Sequence, residues 1–315
     1  MKVVALAGGV GAGKFLRGLV RAVSPADVTA VTNTADDMTL HGLRICPDLD
    51  SVTYWLAGLA ERERGWGRSG ESFRALEEVR RLGGPAWFGL GDLDLGTHLA
   101  RTGWLAEGSS LTEVTARITA ALGIEARVLP MSDDPVRTVI DSIDEDGAAR
   151  SDPFQIYWVA RGARDEVKAV RFDGVEQARP GPGVLEAIES ADAVLVCPSN
   201  PVVSVAPILA VPGVREAVAA RRDRAAGVSP IVAGAPVAGM ADRLMPAVGL
   251  EVSALGAASA YRGLVHGWVV DDRDASLAPR IGDELGMRAA VTDTMMVDDA
   301  VAERVAGAAL DVATR

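Results

Sequence analysis

The sequence predicts a Rossmann-like α/β fold, with a mostly parallel sheet flanked by helices and a smaller inserted subdomain containing antiparallel strands. Short β-branched runs alternate with amphipathic helical patterns along most of the 315 residues, as in parallel α/β sheets. Loops rich in Gly, Asp and Pro follow these runs, where open α/β sheets place their ligands. Residues 138–175 instead alternate polar and apolar side chains, which favours antiparallel strands.

The elements follow in chain order from this alternation. Residues 2–6 form a buried strand in this interpretation, and the glycine-rich loop after them leads into a helix through residues 15–23. Residues 48–81 are predicted to be helical with an interruption at GWGRSG. A further helix is predicted at 111–122, and further strands at 28–32, 86–90, 127–129, 193–197 and 230–233.

These elements suggest one core with one insertion. We expect residues 1–130 and 185–315 to form the Rossmann-like core that carries the phosphate, metal and substrate loops. Residues 131–184 are expected to form the inserted subdomain. A chain of this length can bury a sizeable core in this way.

Composition argues against several classes of protein. The 32 Lys and Arg against 43 Asp and Glu give a net charge of −11, and without a basic stripe we expect no nucleic-acid partner. The two cysteines, Cys46 and Cys197, make no disulfide framework, which favours a reducing compartment. There is no signal-peptide pattern and no run of 18 apolar residues, so we expect a cytoplasmic protein with no membrane partner.

The first loop is typical of phosphate binding. It fits G-x-x-x-x-G-K from Gly8 to Lys14, but Phe15 stands where a P-loop has Ser or Thr to hold Mg²⁺. Glycines after a strand still let the backbone approach a phosphate, and the following helix N-terminus favours negative charge. The alternative is a tight strand-to-helix turn without a ligand.

Carboxylates cluster in the next loops. Asp36, Asp37, Asp48 and Asp50 lie within 15 residues and offer the oxygen ligands that a hard divalent cation prefers. Helix capping is the alternative for any one of them, since Asp48 or Asp50 can cap the helix that follows. As a set they favour a metal or polar-ligand site.

Two later segments add polar groups. In the GDLDLGTH loop and the helix after it, His98 and Arg101 are three residues apart and share a helix face, where they can contact a phosphate or substrate oxygen. Ser199 and Asn200 lie between prolines in a rigid turn that suits a nucleobase or ribose, or that simply reverses the chain. The sequence has neither Cys/His metal spacing nor a G-x-S-x-G motif, which argues against zinc enzymes and serine hydrolases.

Several stretches keep one order along nearly the whole chain, namely ALAGGVGAGKFLRGL, VTNTADD, HGLRICPDLDSV, WFGLGDLDLGTHLART, VLPMSDDPVRT and SPIVAGAPVAGMADRLMPAVG. Together they resemble the 2-phospholactate transferase family (CofD/FbiA type) of deazaflavin coenzyme biosynthesis. The chain departs from the family at Leu93, where many members have Arg or Lys.

The resemblance implies a reaction. The family moves a phosphorylated three-carbon acid (2-phospholactate or phosphoenolpyruvate) from a guanosine diphosphate-linked donor to a hydroxyl of the deazaflavin chromophore Fo (7,8-didemethyl-8-hydroxy-5-deazariboflavin). GMP leaves, and coenzyme F-420-0 or its dehydro form results. The resemblance also implies a Mg²⁺ cofactor, a Rossmann-like fold and a homodimer.

The resemblance also implies roles for individual residues. Asp50 is the candidate catalytic residue, which orients or deprotonates the attacking hydroxyl, although positioning and charge neutralisation can suffice. The candidate metal ligands are Asp36, Asp37, Asp48 and Asp50. The candidate donor-binding residues are Gly8, Gly9, Gly11, Gly13, Lys14, Ser199 and Asn200. The candidate acceptor-binding residues are Asn33, Thr34, Asp50, Asp92 and His98.

Two other classes of protein fit this sequence less well. Non-enzymatic sugar-nucleotide-binding regulators of the same fold resemble GGGTG and ADDGG, whereas this chain has GGVGAG and ADDMTLHG. An NAD(P)-dependent oxidoreductase would need the G-x-G-x-x-G pattern and an acidic residue at the end of the second strand. This chain lacks the pattern and has Thr32 and Asn33 at that strand end.

Overall fold

The structure is a computed structural model that describes residues 1–315. The strands are β1 (Val3–Ala7), β2 (Val28–Thr32), β3 (Met38–Leu40), β4 (Leu43–Ile45), β5 (Arg127–Pro130), β6 (Arg137–Ile143), β7 (Ala149–Pro153), β8 (Glu166–Asp173), β9 (Ala193–Val196), β10 (Ala225–Val228), β11 (Ile231–Val232), β12 (Ala235–Pro236), β13 (Gly267–Val270) and β14 (Arg288–Val291). The α-helices are α1 (Gly9–Ala22), α2 (Pro47–Leu56), α3 (Arg74–Arg81), α4 (Asp92–Ala106), α5 (Leu111–Ala121), α6 (Val184–Ser190), α7 (Ala206–Ala210), α8 (Val214–Ala220), α9 (Ala241–Leu244), α10 (Ala254–Ser259), α11 (Ala278–Leu285) and α12 (Asp299–Thr314).

Seven parallel strands form the central sheet in the order β14-β13-β10-β9-β1-β2-β5. The chain therefore moves outward from β1 in one direction and returns to the other side of β1 with β9. In an open α/β sheet this reversal leaves a crevice at the carboxyl ends of the two adjacent strands. The loops after β1 and β9 meet at that crevice, and the predicted fold class is confirmed.

Helices cover both faces of the sheet. Successive residues of β1 point to opposite faces and so pack against different helices. Val3 and Ala5 pack with α1, α2, α5 and α12 on one face. Val4 and Leu6 pack with α6, α8, α10 and α11 on the other. This double burial explains why β1 is apolar throughout rather than alternating.

A separate antiparallel sheet, in the order β7-β6-β8, lies between β5 and α6 in the chain. Ile140 of this sheet, and Phe154 and Tyr157 from the turn after β7, belong to the same apolar cluster as Val4 and Leu6 of β1. The insertion therefore packs directly on the core and supplies residues close to the crevice.

Two sequence-predicted strands are wrong. Residues 86–90 form a loop whose Phe88 and Leu90 cover a small apolar cluster around Leu40, so their apolar character reflects local packing. Residues 230–233 contribute only the short β11, and the strand of the central sheet is β10. β10 reads Ala-Ala-Gly-Val and carries little β-branched signal, because the Trp268 ring packs against it. A Cβ on Gly227 would lie 2.2 Å from Trp268 Cζ3.

The remaining differences concern missed elements and boundaries. β13 and β14 were not among the predicted strands. The helical region predicted over residues 48–81 consists of α2 and α3, and the predicted interruption at GWGRSG lies within a longer non-helical segment at 57–73.

No single helix has the length and apolar composition needed to cross a membrane. The segments Pro201–Ala210 and Val214–Ala220 meet those criteria only when taken together, and they are bent by 94°.

Candidate active site

A cavity of about 650 Å³ opens where the loops after β1 and β9 meet. Its volume is within the range of small-molecule sites. The loops after β2 and β10, helices α2 and α4, and residues 64–67, 88–89, 154–159 and 294–297 also line it. The sequence-predicted site residues that line it are Gly8, Gly9, Gly11, Lys14, Asp36, Asp48, Asp50, His98, Ser199 and Asn200.

The loop before α1 is fixed against the loop after β9. The Ser199 hydroxyl donates to the Gly8 carbonyl (2.8 Å) and accepts from the Gly8 N–H (3.3 Å). A Cβ on Gly11 would lie 2.2 Å from the Pro198 carbonyl oxygen, so only glycine fits there. α1 begins at Gly9, and the residue before it, Gly8, has no capping side chain, so the positive end of the helix dipole favours an anion in the cavity.

Gly13 and Lys14 sit one turn further along α1. A Cβ on Gly13 would lie 2.4 Å from Trp55 Cδ1, and Gly13 does not line the cavity, so its role is close packing. Lys14 lines the cavity, and its ammonium lies 5.7 Å from the centroid of the Trp55 ring. It has no carboxylate partner among the ion pairs, which leaves its charge available to an anion.

Asp36 and Asp48 form a buried carboxylate pair behind this loop. Asn33 Nδ2 donates to Asp36 Oδ2 (3.1 Å) and Asp48 Oδ2 (3.0 Å), and it also contacts the Val203 carbonyl oxygen (3.2 Å). The Gly9 N–H donates to Asp48 as well. Asn33 is itself fully buried and does not line the cavity. Its amide therefore fixes the two carboxylates from behind.

This pair lacks a compensating cation. Burial raises the pKa of Asp48 to about 7, against the opposing hydrogen bond from Asn33. Burial and repulsion from Asp48 raise the pKa of Asp36 well above its ordinary value. Asp36 Oδ1 has no hydrogen-bond partner. Two buried carboxylates without a positively charged partner are suitable ligands for a hard divalent cation.

Asp37 is held differently, although it is adjacent to Asp36. Its carboxylate pairs with Arg44 (3.0 Å) and does not line the cavity. Burial raises the pKa of Asp37 to about 6, partly offset by Arg44. Arg44 therefore gives Asp37 the compensating positive charge that neither Asp36 nor Asp48 has.

Asp50 is also neutralised by an arginine. The buried Arg101 guanidinium donates to both Asp50 oxygens and lies 3.2 Å from His98 Nδ1. As predicted, His98 and Arg101 share one face of α4, but Arg101 contacts Asp50 and does not line the cavity.

The contacts continue through Asp94, which lies four residues before His98 on α4. His98 Nε2 lies 3.3 Å from Asp94 Oδ2, and the Tyr54 hydroxyl donates to Asp94 Oδ1 (2.6 Å). Burial raises the pKa of Asp94, but the contacts with His98 and Tyr54 outweigh it and hold that pKa below its ordinary value. Asp94 was recognisable from its spacing to His98; Tyr54 comes from α2 and had no sequence signal.

Asp50, Asp94 and His98 also form a group that can hold a metal, because their ligand atoms lie within 4.8 Å of one another. A cation placed there would compete with Arg101 for Asp50. The pair Asp36 and Asp48 has no such competitor and is therefore the better fit for a divalent cation.

Three predicted acceptor-binding residues, Asn33, Thr34 and Asp92, do not line the cavity. Asp92 begins α4 and accepts from the backbone N–H groups of Arg74 (3.3 Å) and Ala75 (3.1 Å), so it fixes the start of α3. Thr34 is buried and does not line the cavity.

The lining divides into two walls. We call the lining residues between 8 and 98 the charged wall, because they include every ionisable side chain that faces the cavity. These are Lys14, Asp36, Asp48, Asp50, Tyr54, Arg64, Asp94 and His98. We call the lining residues between 154 and 297 the neutral wall, because none of them is ionisable. Its larger or polar members include Trp158, Asn200, Ser229, Met240, Thr294 and Met296.

Most of the neutral wall was missed by the sequence analysis. Met240 and Met296 carry no charge pattern, and Trp158 was not distinguishable from a core residue. Trp158 is 39% exposed and packs against Phe154 at the rim of the cavity.

Comparison with known proteins gives a consistent family. A family model described as 2-phospho-L-lactate transferase CofD matches residues 3–302. The chain is 47% identical over 315 residues to a phosphoenolpyruvate transferase of Streptomyces griseus, covering 99% of this chain and 98% of that protein. Proteins of the same description from Thermobifida fusca and Mycolicibacterium smegmatis are 44% and 39% identical, covering 99% of this chain and 98% and 99% of theirs.

Solved structures show a similar fold. A member of the UPF0052 family from Bacillus halodurans superimposes with a TM-score of 0.63 over 98% of both chains, at 20% identity. A second crystal structure from that organism gives a TM-score of 0.57 over 93% of this chain and 92% of that one, at 21% identity.

Proposed function

The chain belongs to the 2-phospho-L-lactate transferase family (CofD), and from this premise we propose that it is a Mg²⁺-dependent transferase acting on the deazaflavin Fo. It moves phosphoenolpyruvate, rather than 2-phospholactate, from a guanosine diphosphate-linked donor to the Fo hydroxyl. The relatives described as phosphoenolpyruvate transferases support this choice of donor. The products are GMP and dehydro coenzyme F-420-0.

One observation carries the proposal. The anion-accepting start of α1 and the uncompensated pair Asp36 and Asp48 face the same cavity. A diphosphate ester brings negative charge to that place, and a divalent cation between it and the carboxylates balances the charge of both. A sugar-nucleotide regulator would need the phosphate loop but has no evident use for the carboxylate pair.

The donor lies across the crevice in this proposal. Its diphosphate binds at the start of α1, around Gly9 and Gly11, with Lys14 alongside, and its guanosine extends over Ser199 and Asn200 onto the neutral wall. Gly13 acts indirectly, since it lets α1 pack on Trp55. This arrangement keeps charged groups near the phosphates and leaves the ring to neutral contacts.

Asp36 and Asp48 would hold Mg²⁺, with Asn33 fixing their orientation. When bound, this ion supplies charge neutralisation to the diphosphate. Asp37 and Asp50 were also candidate ligands. Their carboxylates are already paired with Arg44 and Arg101, so we propose that they contribute to the electrostatic field around the ion and do not bind it directly.

The acceptor lies against the charged wall. The Fo hydroxyl oxygen forms a bond to the phosphorus that carries the three-carbon acid, the bond from that phosphorus to the bridging oxygen breaks, and GMP leaves with that oxygen. Asp50, held in one orientation by Arg101, accepts a hydrogen bond from the attacking hydroxyl and orients it. His98 supports Asp50 through Arg101, and the hydroxyl proton passes to solvent.

We also propose a cytoplasmic homodimer, as the family resemblance implies. The two cysteines are buried and unpaired, which is consistent with a reducing compartment.

The proposal is tested by titrating free Fo into the protein by fluorescence, with and without Mg²⁺ and GDP. We expect saturable, micromolar-range binding that responds to GDP, and conversion of Fo to dehydro F-420-0 when the donor is supplied. Absence of any response to Fo, together with thermal stabilisation by a UDP-sugar, would instead favour a regulator.

A further inference from the structure

The neutral wall is built largely from two segments. One is residues 229–241, which follow β10 and contain the short β11–β12 pair, and the other is residues 294–297, which follow β14. Outside that short pair, such connecting segments are held in place by few regular backbone hydrogen bonds. Something else must fix their positions if the wall is to recognise a ligand by shape.

Asp271, at the end of β13, fixes the second segment. Its carboxylate accepts from the Thr294 N–H (2.9 Å) and the Thr294 hydroxyl (3.0 Å). It also accepts from the Arg273 N–H (3.1 Å) and Arg273 Nε (2.7 Å). Only 2% of Asp271 is exposed. Although burial raises its pKa, these four donors lower it to about 2, so the anchor is an anion at neutral pH.

Asp274, three residues later, fixes the first segment. Its Oδ2 accepts from the Ala233 N–H at 2.9 Å. Ala233 has φ +50°, in the left-handed region that disfavours side chains. A charge-assisted hydrogen bond to a buried carboxylate stabilises this conformation. Ser229 supports the same loop by donating to the Ile231 carbonyl (2.7 Å).

Neither carboxylate lines the cavity, yet each holds a segment that does. Both come from one short stretch after β13, so the two segments of the neutral wall share a single support. A wall without ionisable groups recognises a ring through contact and backbone hydrogen bonds, which depend steeply on position.

We infer that Asp271 and Asp274 are positioning residues for the guanosine side of the donor site. This rests on the proposed function, which places the guanosine on the neutral wall. They act through Thr294 and Ala233 and touch no substrate. They therefore set affinity for the nucleotide and leave affinity for Fo, on the charged wall, unchanged.

The test uses the full-length chain with D271A and D274A, and D165A as the matched control. Asp165 is also buried, its carboxylate pairs with Arg161 in the antiparallel insertion, and it neither lines the cavity nor contacts residues 229–241 or 292–297 through a hydrogen bond. Hydrogen exchange is measured over residues 229–241 and 292–297. Dissociation constants are measured for GDP with Mg²⁺ by calorimetry and for Fo by fluorescence.

We expect D271A to speed exchange over 292–297 and D274A over 229–241. Each should raise the Kd for GDP roughly tenfold and leave the Kd for Fo within about twofold. D165A should lower thermal stability without changing either Kd. A merely structural role would move both dissociation constants together.

Two results would overturn the inference while the proposed function stands. One is unchanged GDP affinity in both variants despite faster exchange, and the other is equal weakening of GDP and Fo. If the wild-type chain binds no GDP, the proposed function fails, and the assignment of guanosine to the neutral wall fails as well. Exchange in the two segments would then still show whether the carboxylates anchor them.

Discussion

The two walls of the cavity treat buried carboxylates in opposite ways. On the charged wall, Asp36 and Asp48 face the cavity with raised pKa values and too few donors. Behind the neutral wall, Asp271 has similarly little exposed surface but accepts four hydrogen bonds, and its pKa is about 2. Low solvent exposure is therefore a poor indicator of function; the depth of burial and the number and kind of partners together separate a candidate ligand-binding group from a structural support.

The same comparison separates the four aspartates that follow β2 and begin α2. Arg44 and Arg101 already neutralise Asp37 and Asp50, whereas no arginine pairs with Asp36 or Asp48. Removing a carboxylate from each class should therefore produce different defects.

D48N should have the largest effect, a loss of transfer rate of at least about 100-fold, because it removes one of two groups proposed to balance charge at the diphosphate. The Asn side chain preserves shape, so the fold should be kept. Initial rates of dehydro F-420-0 formation measure the loss of transfer, and calorimetric titration of Mg²⁺ should show weakened binding.

D141N is the control for that experiment. Asp141 lies on the antiparallel insertion and bonds to Ser151 and Arg171 at the surface. Its rate should stay within about twofold of wild type. A D48N rate close to that of D141N would remove the carboxylate pair from the mechanism.

D50N should be the most destabilising change in the charged wall, lowering the free energy of unfolding by about 3 kcal/mol or more. It leaves the Arg101 guanidinium buried without its counter-charge. Urea denaturation measures this loss. The double variant D50N/R101M, which removes both charges, should recover part of the stability but none of the transfer activity. A D50N chain as stable as wild type would mean that Arg101 has another partner.

The charged wall was easier to predict from the sequence than the neutral wall. Asp36, Asp48, Asp50 and His98 are polar groups in loops or on a helix that follow apolar strands, and parallel topology brings strand ends together. Their sorting into free and paired carboxylates was not predictable. It depends on Arg101, whose partner is about fifty residues away in sequence.

The neutral wall left almost no local signal. Met296, Met240 and Trp158 are ordinary apolar residues until the fold places them beside a cavity. β10, which supports one of its loops, has a composition dictated by the ring of Trp268 rather than by strand propensity. The position of these lining residues and the composition of β10 depend on packing between segments distant in sequence, which no short sequence pattern can predict.

N200D tests the absence of charge on the neutral wall. Asn200 lines the cavity, and its side-chain oxygen accepts from the Val202 N–H at 2.9 Å. Aspartate keeps that acceptor and adds one negative charge on the guanosine side of the proposed site for an anionic nucleotide. Affinity for GDP should fall about tenfold, by more than in N200A, and the difference should narrow at high salt. Equal losses in N200D and N200A would show that charge on this wall is irrelevant.

The smallest expected effect is on the pH dependence of stability. Because the folded-state pKa of Asp48 is raised to about 7, the folded chain binds this proton more tightly than the unfolded chain. The resulting stability is complete below about pH 4 and is lost as pH rises through 7, by up to about 1 kcal/mol per pH unit.

This loss is measured by urea denaturation in the presence of a metal chelator. Between pH 5 and 8, the free energy of unfolding of wild type should fall more steeply than that of D48N. Asp271 has the opposite sign: its lowered pKa contributes stability above pH 4 that is lost as pH falls toward 2, so D271N should differ from wild type at neutral pH and converge with it in acid. Added Mg²⁺ should restore the wild-type loss at pH 8 and do little at pH 5, where protons already occupy the pair. Parallel wild-type and D48N curves between pH 5 and 8 would show that Asp48 carries no such proton, and the contrast between the two walls would then rest on geometry alone.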